Sequence, residues 1–125
     1  NQQRRGSVSN TTAVTQKGGF DVVGTPVWVL AIDQGTTNTK ALLVDVGSGS
    51  IGARASRRVR IDFPSPGWVE QDAAQLWGAA AEAVRECLAS APDLSPVAVA
   101  VSNQRESVGA WSRTSGRPRG PVIIW

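Results

Sequence analysis

The residues best suited to do chemistry lie in one short polar turn between two apolar runs. Its sequence is Asp33-Gln34-Gly35-Thr36-Thr37-Asn38-Thr39-Lys40. Gly35 lets the backbone approach a ligand closely, and the short hydroxyl and amide side chains after it can donate hydrogen bonds to a phosphate. Lys40 adds a cation that can pair with a polyphosphate, and Asp33 can hold Mg²⁺ through water. The turn therefore predicts a phosphate site, with an ordinary polar hairpin turn as the alternative.

A second polar cluster, Asn103-Gln104-Arg105-Glu106-Ser107, directly follows a predicted strand. Side chains at the carboxyl end of a strand face the ligand crevice in open α/β sheets. Arg105 and Glu106 together offer donors and acceptors that suit neighbouring hydroxyl groups of a polyol. Trp125, at the end of another apolar run, can wall a sugar site. The alternative is a solvent-exposed loop with a weak surface ion pair.

Three predicted strands carry and follow the phosphate turn. Residues 27–32 form a continuous apolar run, 39–46 are typical of a second strand, and 51–63 alternate apolar and polar residues. Arg57 is the exception on the apolar face of the third strand. The short connections between these strands predict an antiparallel meander. Because the turn joins two strands and does not open a helix, it differs from a Walker-type phosphate loop.

One helix follows the meander. Asp72 is a good N-cap residue, apolar residues recur after it at helical spacing, and the pattern stops before Pro92. Cys87 lies on the apolar stripe, which favours a buried thiol over a reactive one. After the helix, the apolar run 97–101 predicts a strand that is covered on both faces. The last predicted elements are two strands joined by a turn, at 108–111 and 122–125.

The length of 125 residues corresponds to one domain at most. Residues 1–26 are polar, carry most of the net charge of +3 and are predicted to be a flexible extension. Residues 27–125 hold ten basic and nine acidic side chains without a basic stripe, so we expect no nucleic-acid partner. The absence of histidine excludes His-based catalysis. No apolar run reaches the roughly 18 residues of a membrane span and no signal peptide is recognisable, so we expect a cytoplasmic protein without a membrane partner.

Four segments together resemble the N-terminal part of the FGGY carbohydrate kinases, in particular the glycerol kinase-like members. The segments are 31–37, 66–72 with Trp77, 103–106 and 114–125. They occur in the order and at the spacing of the family. Asn38 and Lys40 stand where glycerol kinases usually carry serine and arginine. Xylulose-type kinases usually carry another motif in place of 104–106, so the resemblance favours a glycerol-like or other small polyol as substrate.

The resemblance implies an α/β fold of the actin-like, ribonuclease H-like class, here a partial N-terminal lobe with a mixed sheet and the order β-β-β-α-β. It implies ATP and Mg²⁺ as cofactors and a small polyol or sugar as substrate. The residues expected around the transferring phosphates are Asp33, Gly35, Thr36, Thr37, Asn38 and Lys40, with Asp33 also expected to hold Mg²⁺. The residues expected at the substrate are Arg105, Glu106 and Trp125.

The resemblance also implies that residues 27–125 are a truncated kinase domain. The aspartate that serves the family as general base, and the second lobe that binds adenine, lie beyond Trp125. The C-terminal lobe of the same protein is therefore an expected partner, and we expect the 125-residue chain to be inactive by itself. The alternatives are a non-catalytic sugar- or phosphate-binding module and an inactive remnant. The oligomeric state is left open, with a homo-oligomer among the options.

Overall fold

The computed structural model describes residues 24–125, so residues 1–23 of the predicted extension 1–26 lie outside the described residues. In chain order the elements are β1 (Trp28–Gln34), β2 (Asn38–Asp45), β3 (Ile51–Arg58), β4 (Glu70–Gln71), α1 (Ala73–Ala89), β5 (Ala98–Asn103) and β6 (Val122–Ile123). This is the predicted order β-β-β-α-β, with a two-residue strand added before the helix. No helix among these residues combines the length and the apolar character that crossing a membrane requires.

A mixed four-stranded sheet carries both polar clusters, in the strand order β3-β2-β1-β5. β1 pairs antiparallel with β2, and β2 with β3, as the short connections predicted. β5 pairs parallel with β1, and a parallel neighbour requires a crossover connection, which contains α1. The last residues of β1 and β5, Gln34 and Asn103, are register partners. The two polar clusters therefore start at the same edge of the sheet.

The core lies between α1 and one face of the sheet. Ala41 and Leu43 of β2 and Ala83 and Cys87 of α1 are fully buried. Small alanine side chains on both sides let the helix pack closely on the strands, and burying Leu43 contributes about 1.5–3 kcal/mol. Burial also raises the pKa of the Cys87 thiol, as expected for a core cysteine.

Two sets of polar contacts fix α1 in place. Asp72, the predicted N-cap residue, accepts hydrogen bonds from two backbone N–H groups of the first turn, at 2.6 and 3.0 Å. Arg57 of β3 forms ion pairs with Glu82 and Glu86 of the helix. The half-buried stem of Arg57 thus covers the edge of the core while its guanidinium group pairs at the surface. This arrangement explains why an arginine occupies the apolar face of β3.

The prediction that strand 97–101 is covered on both faces is wrong for the part of the chain that the structure describes. All six residues of β5 are exposed, and Val99 and Val101 are 61% and 68% exposed. β5 is the outermost strand of the sheet, whereas α1 packs mainly over β2 and β3. The apolar run correctly predicted a strand, and its residues are of the kind that strands bury. Residues 24–125 contain no layer that covers β5 on both faces.

Three predicted strands are shorter than expected. β3 ends at Arg58 rather than at residue 63, because its partner β2 begins at Asn38, opposite Arg58, and the hydrogen bond from the Val59 N–H group to Thr37 is the last contact before the β1–β2 turn. The run 108–111 makes only isolated antiparallel bridges, one of them opposite a proline that has no N–H to extend the pairing. The last strand, predicted at 122–125, is the two-residue β6, which pairs with β4.

The carboxylate of Asp45, buried at the end of β2, organises the β2–β3 connection. The Ser48 hydroxyl and the Val27 N–H group donate to it at 2.5 and 2.9 Å and hold the pKa of Asp45 below its usual value. A carboxyl group whose pKa is lower in the folded state stabilises the fold above its unfolded pKa of about 4, and this stability is lost as the pH falls through the folded pKa.

We therefore expect Asp45→Asn to lower the free energy of unfolding at neutral pH, and the difference from wild type to shrink below about pH 4. Urea unfolding of the complete protein at a series of pH values measures this. Asp93→Asn, which changes an exposed carboxylate, is the control. A difference between Asp45→Asn and wild type that stays constant across the acid range would contradict the prediction.

Candidate active site

The predicted phosphate turn is the hairpin that joins β1 to β2. The N–H group of Gly35 donates to the carbonyl oxygen of Asn38 at 2.9 Å and closes the turn. A Cβ atom at Gly35 would lie 3.1 Å from that oxygen, closer than nearly all such contacts in proteins. The glycine therefore allows the narrow turn.

The carbonyl groups of the turn have hydrogen-bond donors, whereas two of its N–H groups have no acceptor within residues 24–125. The carbonyl oxygens of Gly35, Thr36 and Thr37 each accept a hydrogen bond from a side chain or from the backbone, at 2.7–2.9 Å. The N–H groups of Thr36 and Thr37 donate to no acceptor within residues 24–125. These two free backbone N–H groups can donate hydrogen bonds to an anion.

Two glutamine side chains join the turn to the second polar cluster. Gln71 is fully buried, its Nε2 donates to the carbonyl oxygen of Thr36 at 2.7 Å, and its Oε1 accepts from Nε2 of Gln104 at 2.7 Å. The backbone N–H group of Gln104 also donates to the carbonyl oxygen of Gln34 at 2.8 Å. The two polar clusters, far apart in sequence, are therefore hydrogen-bonded to each other.

A cavity of about 280 Å³ lies where the clusters meet. Its lining residues are Gly35, Thr36, Gln104, Arg105, Glu106 and Trp125. The structure thus brings five of the predicted site residues together from three separate segments. Ligands of drug size occupy about 300–1,000 Å³, so this cavity suits a smaller molecule.

The remaining predicted phosphate residues lie outside this cavity. Asp33 and Lys40 are cross-strand partners, so both side chains point to the sheet face opposite α1. Asn38, two residues before Lys40 on the same strand, shares that face. Thr37 is exposed at the tip of the turn and lines a separate cavity beside Gln75 of the helix. These four residues therefore flank the turn and do not line the 280 Å³ cavity.

Glu106 has a left-handed backbone conformation, with a φ of 57°. It is the only non-glycine residue with a positive φ among residues 24–125. This conformation costs roughly 1–2 kcal/mol for a residue with a side chain. Strain of this kind persists where the surrounding structure requires one side-chain direction, and it clusters at functional sites.

The donor set around the turn fits ATP with Mg²⁺. No group of three or more Asp, Glu, Cys or His side chains that could hold a metal occurs within residues 24–125, so a metal cage is absent there. Asp33 supplies one exposed carboxylate. Mg²⁺ binds commonly through one or two carboxylates together with water and substrate phosphates. Lys40 and the free N–H groups supply the positive partners that the phosphates require.

Gln104 was predicted only as a member of the second polar cluster, and no role was predicted for Gln71. Both were visible in the sequence, one directly before the helix N-cap and one directly before Arg105. Their contact joins residues 33 positions apart, and the contact of Gln71 with Thr36 joins residues 35 positions apart. No local pattern reveals such pairs, so only the structure shows that these amides connect the two clusters.

The model of the FGGY family of carbohydrate kinases, N-terminal domain, matches residues 28–125. An apulose kinase from Pectobacterium atrosepticum is 48% identical over 101 residues, which cover 81% of this chain and 20% of that protein. A glycerol kinase from Bordetella pertussis is 41% identical over 102 residues, which cover 78% of this chain and 20% of that protein. The chain therefore spans about a fifth of the length of these curated relatives.

Two solved structures share the fold. A xylulose kinase from Rhodospirillum rubrum has a TM-score of 0.72 and 31% identity, with coverage of 78% of this chain and 20% of that one. Plasmodium falciparum glycerol kinase with ADP has a TM-score of 0.73 and 27% identity, with coverage of 80% and 20%. These neighbours confirm the expected partial α/β domain of the actin-like class, with its mixed sheet. The chain belongs to the FGGY family of carbohydrate kinases.

Proposed function

We propose that this chain is part of a kinase that transfers the terminal phosphate of ATP to a hydroxyl group of a small polyol or sugar, with a glycerol-like acceptor favoured. The observation that carries the proposal is the cavity of about 280 Å³, where the phosphate turn meets Arg105 and Glu106. Phosphoryl transfer depends mainly on positioning and on neutralising charge. A turn with free N–H groups, next to a pair that suits hydroxyl groups, supports that chemistry.

The turn residues hold the phosphate chain. The N–H groups of Thr36 and Thr37 donate to phosphate oxygens, and Lys40 pairs with their negative charge. Asn38 adds a side-chain donor beside Lys40. Asp33 holds Mg²⁺ through water, and Mg²⁺, when bound, neutralises the charge on the phosphate oxygens.

The second cluster holds the acceptor. Arg105 donates hydrogen bonds to substrate hydroxyl oxygens, and Glu106 accepts from a neighbouring hydroxyl group. The ring of Trp125 packs against the carbon skeleton and keeps water out of the cavity. Together these side chains orient one hydroxyl group toward the phosphate turn, which is the main requirement for transfer.

The rest of the catalytic machinery lies outside residues 27–125. Since the chain spans about a fifth of its curated relatives, we assign the second lobe and the aspartate general base to the remainder of the same protein. Residues 27–125 are then a partial N-terminal domain. The exposed Val99 and Val101 of β5 support this division, because apolar strands of this type are normally covered.

A panel of acceptors tests the proposal in the complete protein. The acceptors are glycerol, apulose and xylulose, after the names of the relatives. We expect ADP release from ATP to rise at least about tenfold when the preferred acceptor is added, and Arg105→Ala to abolish that rise. Arg113→Ala, at an exposed arginine that does not line the cavity, is the control. ADP release at one rate with and without every acceptor would contradict the proposal.

The 125-residue chain by itself is expected to release no ADP above background in the presence of ATP and glycerol. It contains only one side of the proposed cleft, and none of its acidic residues is assigned the role of general base. The same assay, run on the purified chain beside the complete protein, measures this. ADP formation by the chain alone would refute the assignment of the base to the remainder of the protein.

A further inference from the structure

We infer that Gln71 is a positioning residue that couples the phosphate turn to the substrate cluster, so that a ligand on one side changes affinity on the other. The inference rests on the proposed function. Gln71 does not line the cavity, but it is hydrogen-bonded to Thr36 on one side of it and to Gln104 on the other.

The orientation of both amide groups is set by one backbone carbonyl. The oxygen of Thr36 can only accept a hydrogen bond, so Gln71 must present its Nε2 there and its Oε1 to Gln104. Gln104 must then present its own Nε2 to Gln71. Rotating either amide by half a turn would set two donors or two acceptors against each other. The pair therefore has a single arrangement while the turn keeps its shape.

One atom of this pair is left without a partner. Oε1 of Gln104 is buried and accepts no hydrogen bond within residues 24–125. A buried acceptor without a donor is costly, so a shift of Gln104 that opens this atom to a substrate hydroxyl group, or to a water molecule that it orders, is favoured. A shift of Gln104 toward such a donor acts on Gln71 and, through it, on the carbonyl group of Thr36. This is a physical route between the two sides of the cavity.

The hydrogen bonds from Gln104 through Gln71 to Thr36 connect the residue next to Arg105 with a free N–H group of the phosphate turn. Thr36 supplies one of the free N–H groups of the turn, and the hydrogen bond to its carbonyl group fixes the direction of the neighbouring peptide. Arg105 directly follows Gln104. Because Gln71 is fully buried, solvent cannot readily replace its amide when it is removed. A misplacement of about 1 Å in such a site can cost about a hundredfold in rate.

The test compares Gln71→Leu with Gln75→Leu in the complete protein. Gln75 is an exposed glutamine four positions on, whose side chain makes no hydrogen bond within residues 24–125. We expect Gln71→Leu to lower kcat/KM for the acceptor by about 10- to 100-fold. We also expect the KM for the acceptor to depend on ATP concentration in wild type and to be independent of it in Gln71→Leu. A purely structural role would lower the active fraction, and so kcat, without changing this dependence.

A double variant distinguishes the loss of coupling from a loss of folding stability. Gln71→Leu leaves the carbonyl oxygen of Thr36 without a donor and the Gln104 amide without its acceptor. Adding Gln104→Leu removes the second of these unpaired groups, so the double variant is expected to be more stable than Gln71→Leu. If the double variant is stable and still lacks the ATP dependence of KM, the inference is supported. If wild type is active and Gln71→Leu matches Gln75→Leu, the inference alone is overturned. If wild type phosphorylates no acceptor, the proposed function falls and the inference with it.

Discussion

Lys40→Ala in the complete protein is expected to lower kcat for phosphoryl transfer by about 10²–10³-fold. Lys40 lies beside the turn with the free N–H groups and is the cross-strand partner of Asp33. In the proposed function its ammonium group pairs with the transferring phosphate, and that pairing grows in importance as the bond to the leaving group breaks. Since Lys40 is exposed, we expect the free energy of unfolding to change little.

Two variants show whether the effect belongs to this position. Lys40→Arg keeps the charge and is expected to retain activity within about tenfold of wild type, with the difference set by the shape of the two cations. Arg54→Ala removes another exposed cation from the same face of the sheet, and we expect it to leave kcat unchanged. Equal losses in Lys40→Ala and Arg54→Ala would indicate a general effect of positive charge and would contradict the assignment.

Glu106→Gly is expected to separate stability from function. Glycine adopts a φ of 57° without the penalty of a side chain, so this variant should be about 1 kcal/mol more stable than Glu106→Ala, which keeps the strain. Both variants lack the carboxylate that we propose accepts from the substrate hydroxyl group. We therefore expect both to lose at least about a hundredfold in kcat/KM for the acceptor.

Urea unfolding and steady-state kinetics on the same preparations measure the two effects. Glu106→Gln, which keeps the shape of the side chain and removes its charge, is the conservative variant and should fall between wild type and Glu106→Ala in activity. The account would fail if Glu106→Gly were less stable than Glu106→Ala, because the conformation would then not be strained. It would also fail if the two variants kept wild-type affinity for the acceptor.

The hairpin, the helix and the position of the phosphate turn were predictable because each depends on neighbouring residues. The apolar runs on both sides of Gly35 predict β1 and β2, and Asp72 followed by apolar residues at helical spacing predicts α1. The order of these elements also predicts the meander, since short connections permit only antiparallel pairing. The residues of both polar clusters were therefore identifiable before their contact was known.

What the sequence did not reveal depends on contacts between distant residues. The pattern of Val99 and Val101 predicts a buried strand, but burial depends on layers that need not lie within the same stretch of chain. The pairing of Gln71 with Gln104 depends on how α1 enters the fold. The ion pairs of Arg57 with α1 likewise explain why an arginine interrupts the apolar pattern of β3.

The most direct test of the central claim is a crystal structure of the complete protein with a non-hydrolysable ATP analogue and glycerol. We expect the terminal phosphate at the N–H groups of Thr36 and Thr37, within reach of Lys40. We expect the glycerol hydroxyl groups on Arg105 and Glu106, with the carbon chain against Trp125. Phosphate or glycerol bound away from the cavity, with the turn and the Arg105–Glu106 pair free of ligand, would contradict the central claim.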